Sequence, residues 1–172
     1  MIFLYDEAVV NSAAKLRKKL LIAYIAAFIA VVLIEAALII YHATNYYNYD
    51  GINTVRAVVM VIGGVFAAAS VVYLCMPYAR VNNYDKFVRD ALNGEKIYSE
   101  VTVISVDKTL TVKYGVEYYK LNVLEWSDKS EEYVRRTVLI DNEKSDLSFN
   151  GGEILNIETY SNVLTAYKKV TK

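Results

Sequence analysis

Two long apolar runs, residues 20–41 (LLIAYIAAFIAVVLIEAALIIY) and 55–76 (VRAVVMVIGGVFAAASVVYLCM), constrain this chain more than any other feature. The hydrocarbon core of a bilayer accommodates about 20 mostly apolar residues in an α-helix, and each run has that length. Glu35 is the only charge in the first run, and Arg56 the only charge in the second, at its start. A buried helix pair in a water-soluble protein needs polar faces or a large covering sheet, and neither surrounds these runs. The expected element is a two-helix transmembrane hairpin with residues 42–54 as its outer loop.

Charge sets the expected orientation. Lys15, Arg17, Lys18 and Lys19 precede the first run, Arg80, Lys86, Arg89 and Lys96 follow the second, and the loop between has no lysine or arginine. By the positive-inside rule both termini lie in the cytoplasm, and the chain is expected to be an integral protein of a prokaryotic plasma membrane. The first run is too long and too far from the N-terminus for an ordinary cleaved signal, and no small-residue cleavage site follows it. One cysteine, Cys75, forms no intrachain disulfide, which fits a reducing compartment. The formal net charge is zero, so nucleic acid is not an expected partner. The expected partners are the bilayer and either further copies of the chain or another membrane or cytoplasmic protein.

Outside the hairpin, residues 1–19 form a cytoplasmic segment without proline or glycine, so the first helix is expected to start well before the apolar run. Its cations would meet lipid phosphates, and a contact of Ile2, Phe3 and Leu4 with the soluble domain is the alternative. Pro77 and Tyr78 are expected to close the second helix. Within residues 77–96, Tyr84, Phe87, Val88, Ala91 and Leu92 follow helical spacing, with Asn82 or Asn83 as cap and Asn93-Gly94 as stop. Their mixed charges suit a lid on a small core better than a lipid-binding face.

From residue 97 the period of apolar positions changes to two. Strands are expected at 97–106, 109–113, 116–126, 132–140, 153–158 and 163–170, with turns at 107–108, 114–115, 127–130, 141–146, 150–152 and 160–162. Residues 97–172 thus point to a small antiparallel all-β domain, an OB-like or SH3-like barrel on the cytoplasmic side, whose closure would remove exposed edges. In outline, a helical hairpin carrying such a barrel resembles the short NfeD-like membrane proteins. The resemblance is one of architecture and implies an OB-like fold for the barrel.

Candidate site residues lie mainly in the spans. Glu35 is costly in lipid and calls for a partner, and Arg56 enters the antiparallel helix from the same outer side, so an intramembrane ion pair is expected; a proton or ion site is the alternative. Ala23, Ala27 and Ala30 in the first run, and Gly63, Gly64, Ala67 and Ala68 in the second, offer small faces for close helix packing, within one hairpin or between chains. Tyr41, His42, Tyr46, Tyr47 and Tyr49 form an expected interfacial belt. Asp141, Glu143 and Asp146 are read as a solvated acidic turn, since the glycine and closing glutamate of a calcium loop are missing. Trp126 and Tyr114, Tyr118, Tyr119, Tyr133, Tyr160 and Tyr167 are assigned to core and hairpin packing. No nucleophile with a neighbouring base, metal-ligand cluster or phosphate loop is visible, so no catalytic residue, cofactor or metal is expected. The functional expectation is a non-enzymatic, oligomeric interaction or scaffold protein. A small channel or transporter subunit using Glu35 is the alternative, and a membrane enzyme or metal-binding protein the third.

Overall fold

The computed structural model describes residues 1–45, 51–144 and 149–170. Tyr46, Tyr47, Tyr49 and Asp50 of the loop, and Asp146 of the acidic turn, lie outside the described residues. The chain forms two compact units, one of Lys15–Asn82 and the other of Met1–Ala14 with Asn83–Lys172.

Two long apolar helices make up most of the first unit. Helix α1, Glu7–Asn45, starts where the Asp6 side chain accepts a hydrogen bond from the Val9 amide at 2.9 Å, an N-cap with acidic Glu7 in the first turn. Helix α2, Ile52–Tyr73, follows Gly51, whose φ of 100° lies in the left-handed region that favours glycine. Windows of mean hydropathy 2.6 and 2.4 lie in these helices, and neither contains a buried residue. Aromatic rings hold the half of the pair away from the loop: Tyr24 stacks on Tyr73 at 5.8 Å and on Phe66 at 6.2 Å, and the Tyr73 hydroxyl donates to the Leu20 carbonyl at 3.0 Å.

Pro77 does not close the second helix. It sits inside a π-helical turn, Leu74–Tyr78, after which helix α3, Ala79–Asn93, begins. Proline lacks the donor that an α-helix needs from its position, and a wider turn absorbs that loss without ending the helix. Asn82 and Asn83 accordingly lie within α3 rather than at its cap, while the expected stop at Asn93-Gly94 is observed.

The second unit is a closed five-stranded β-barrel. Its strands are β2 (Ile97–Lys113), β3 (Val116–Ser127), β4 (Glu132–Asp141), β5 (Ile154–Tyr160) and β6 (Val163–Lys169), paired in the cyclic order β2-β3-β4-β6-β5. All pairings are antiparallel except β4 with β6, which meet in parallel at Leu139 and Val163. Turns at Tyr114-Gly115 and Ser161-Asn162 have positive φ at both residues, as tight hairpin turns require.

The expected break at Asp107-Lys108 is instead a bulge within one 17-residue strand. Between Asp107↔Lys120 and Thr111↔Tyr118 the strand β2 carries extra residues, and a further shift follows Val103. The Asp107 carboxylate accepts the Thr109 amide at 2.9 Å, a local side-chain bond that imitates a turn in sequence. Such bulges bend a strand, and here β2 pairs with β5 along its first residues and with β3 along the rest. One bent strand thereby closes the barrel.

Residues Met1–Ala14 belong to this unit, so the alternative expectation, contact of Ile2, Phe3 and Leu4 with the β domain, is the one observed, while α1 starts ahead of the apolar run as expected. Residues Ile2–Phe3 form strand β1 on β6, pairing with Tyr167 and Ala166, and the Leu4 amide donates to the Thr165 carbonyl at 2.8 Å. Because β4 meets β6 at a single position, β1 occupies backbone groups of β6 that would otherwise form an open edge. Leu4 and Tyr5 enter the core with Val101, Leu121, Val138, Leu155 and Leu164, and Phe87, Val88 and Ala91 of α3 cover one end as expected. Phe87 stacks on Tyr114 at 4.6 Å and meets the Tyr5 ring edge-on at 5.5 Å.

Candidate functional site

Three places concentrate polar groups. In the helical hairpin, Glu35 Oε1 lies 3.1 Å from where a Cβ on Gly63 would stand, and this buried oxygen has no hydrogen-bond partner among the described residues. The absence of a side chain at Gly63 makes the notch that the carboxyl group fills. No ion pair between Glu35 and Arg56 occurs among the described residues. Gly63 is seven residues beyond Arg56, so about 10 Å of helix separates the two levels. The expected consequence is energetic independence: in a double-mutant cycle of Glu35→Gln and Arg56→Gln, hairpin stability in micelles changes additively to within about 0.5 kcal/mol. A coupling well above that would restore the pair.

The small residues divide into two sets. Ala23 and Ala27 line a groove with Phe66, Ala69 and Tyr73, inside the hairpin. Gly64 has no atom within 4 Å of its Cβ position, and Ala30, Ala67 and Ala68 are exposed. Nearer the loop, a cavity of about 400 Å³ is lined by Ile39, His42, Val55, Arg56, Val59 and Met60.

The third place, a buried cluster in the barrel unit, was not legible in the sequence. The Tyr5 hydroxyl donates to Asp141 Oδ2 at 3.2 Å, and the Glu143 amide donates to Asp141 Oδ1 at 3.1 Å. Asp141 is 1% exposed, so it closes β4 as a core residue and not as part of a solvated acidic turn. Lys144 Nζ stands over the Tyr5 ring at 5.0 Å and the Tyr84 ring at 5.8 Å, a cation–π arrangement. The buried Tyr118 hydroxyl lies beside that of Tyr5.

Burial dominates the electrostatics of this cluster. It raises the Asp141 carboxyl above the usual carboxylate value against the pull of the Glu143 amide and Lys144, and lowers the Lys144 ammonium. It pushes the phenols of Tyr5 and Tyr118 far up, and that of Tyr84 to about 12, with the Asp141 and Glu143 charges adding to it. Phenols held this way are neither nucleophiles nor bases near neutrality; they donate hydrogen bonds and pack. The cluster works as a clasp joining the N-terminal segment, α3 and the residues after β4.

A pH dependence follows. Above pH 10 the unfolded chain loses phenolic protons that the fold retains, so the tyrosines lower stability as pH rises from there. Lys144 acts with the opposite sign up to its ordinary value of 10.5, because there the unfolded chain binds the proton that the fold disfavours. Of the 16 tyrosines, those of the clasp are expected to ionise late, together with unfolding, in a phenolate absorbance titration. Tyr5→Phe removes one of these late steps; uniform titration near pH 10 would contradict the burial.

Comparison with protein-family models, with curated proteins and with solved structures gives no match to the chain. Among the described residues no group of three histidine, cysteine, aspartate or glutamate side chains is placed to hold a metal ion. The geometry of the two units therefore carries the functional reading alone.

Proposed function

We propose that the chain is a two-span membrane protein whose β-barrel, of OB type, is a non-enzymatic cytoplasmic interaction module, and that it works as an oligomer. The single observation behind this reading is a surplus of uncovered apolar surface. No residue of either helical window is fully buried, an exposure of apolar surface which lipid satisfies and water does not. The barrel unit, with its core completed by the N-terminal segment and α3, still leaves Trp126 and Tyr133 exposed as a cross-strand pair, 5.1 Å apart at 71°, on the β3–β4 hairpin. Exposed aromatic side chains of this kind are typical anchors at protein interfaces. A five-stranded closed barrel with one parallel pairing, between its third and fifth strands in chain order, supports the OB assignment over an SH3-like one.

The mass of the assembly in lipid nanodiscs tests the oligomer. Native mass spectrometry is expected to give one defined stoichiometry above one, reduced by Gly64→Ala or Ala68→Leu, whose positions lie off the hairpin's own seam. A strictly monomeric chain removes the oligomeric part of the proposal. The second reading is a channel or transporter subunit, favoured by the unpartnered Glu35 Oε1. It calls for pH-dependent flux in liposomes that Glu35→Gln abolishes; equal flux in the variant excludes it.

A further inference from the structure

The cavity near the loop end of the hairpin combines features that neither the span assignment nor the barrel explains. Arg56, exposed and at the second residue of its apolar run, makes no hydrogen bond or ion pair among the described residues. The one carboxylate of the apolar runs, Glu35, stands against Gly63 instead. His42 lies on the opposite helix at the same cavity, with Nε2 3.5 Å from the Cβ position of Gly51. The rest of the wall is apolar: Ile39, Val55, Val59 and Met60.

An arginine at the boundary of an apolar span extends to the interface, where lipid phosphates are the anions within its reach. Guanidinium matches phosphate bidentately. The apolar wall excludes a free inorganic ion as the sole occupant, since a hydrated anion gains nothing from it. A neutral lipid leaves Arg56 unanswered. A second copy of the chain brings Glu35 as its intramembrane carboxylate, about 10 Å deeper than Arg56 by helix rise.

We propose that the cavity holds one membrane phospholipid, its phosphate on Arg56 beside His42 and an acyl chain along Ile39, Val59 and Met60. This inference rests on the membrane reading. A volume of about 400 Å³ takes the glycerophosphate and the first part of a chain, with the remainder running along the exposed helix surface.

The test uses the full chain in non-ionic detergent with three probes: dioctanoyl phosphatidylglycerol, dioctanoylglycerol and inorganic phosphate. Native mass spectrometry is expected to retain one phosphatidylglycerol per chain, neither of the other probes at the same concentration, and at least tenfold less lipid in Arg56→Gln, with Arg56→Lys between. Val59→Trp, which fills the cavity and keeps the charge, is expected to abolish retention and serves if Arg56→Gln does not fold. Equal retention in Arg56→Gln, or equal retention of dioctanoylglycerol, overturns the inference, as does phosphate binding unaffected by Val59→Trp. Alkaline extraction of the membranes from which the chain is purified separates the two claims. A released chain defeats the membrane reading, whereas an embedded chain with lipid binding indifferent to Arg56 defeats this inference alone.

Discussion

Replacing Tyr5 by alanine is expected to destabilise the barrel unit by about 3 to 5 kcal/mol, the range for emptying a large aromatic site. Tyr5 is 4% exposed, packs edge-on against Phe87 and bonds Asp141, so its loss leaves a cavity and takes one donor from a buried carboxyl group. Tyr5→Phe keeps the ring and removes the hydrogen bond, and is expected to cost only about 1 kcal/mol. Denaturant unfolding of the full chain in micelles, with hydrogen exchange of the β6 amides, reads both. A Tyr5→Ala loss below about 0.5 kcal/mol, the level of an ordinary surface change, would mean that the N-terminal segment is not part of the core.

Within the helical hairpin the largest effect is expected at Gly63. A Cβ there meets Glu35 Oε1 at 3.1 Å, and a branched side chain must push the carboxyl group out of its notch. Gly63→Val is expected to weaken the helix pair by about 1 to 3 kcal/mol, the usual cost of overpacking. Gly64, with open space around it, tolerates alanine within the pair. In a Cys75→Ser background, Ala27→Cys with Ala69→Cys provides an oxidative cross-link across the shared groove. The cross-linking yield is expected to fall severalfold with Gly63→Val and to stay unchanged with Gly64→Ala. The same Gly64→Ala variant loses stoichiometry in nanodiscs if the exposed face packs between chains, so the two glycines separate intramolecular from intermolecular packing.

What the sequence revealed, and what it hid, follows from the range of each signal. The apolar runs and the period-two strands are dense local patterns, and they appear as two long helices and a closed barrel. The hairpin turns at Tyr114-Gly115 and Ser161-Asn162 were legible because turn chemistry is carried by adjacent residues. Strand β1 was not, since a two-residue strand has no period and its partner is over 160 positions away. Its one clue was the apolar run Ile2-Phe3-Leu4-Tyr5. Pro77 misled because proline ends most helices, and only a π-helical turn accommodates it here. Asp141 looked like a turn residue by composition, whereas Tyr5, from the far end of the chain, makes it a core residue. Glu35 was recognisable as a residue needing an explanation, but matching depth and charge suggested Arg56, and the space that receives it comes from the missing side chain of Gly63. A notch leaves no trace in a charge pattern.

The proposal as a whole depends on the hairpin crossing a membrane with the barrel on the cytoplasmic side. Impermeant maleimide labelling of intact cells tests this directly, with Thr54→Cys or Lys129→Cys as the single cysteine in a Cys75→Ser background. Both positions are exposed, one beside the loop between the helices and one at the tip of the β3–β4 hairpin. The expected result is labelling of Thr54→Cys in intact cells and of Lys129→Cys only after permeabilisation. Labelling of both in intact cells, or of neither until permeabilisation, would contradict a two-span protein with a cytoplasmic barrel.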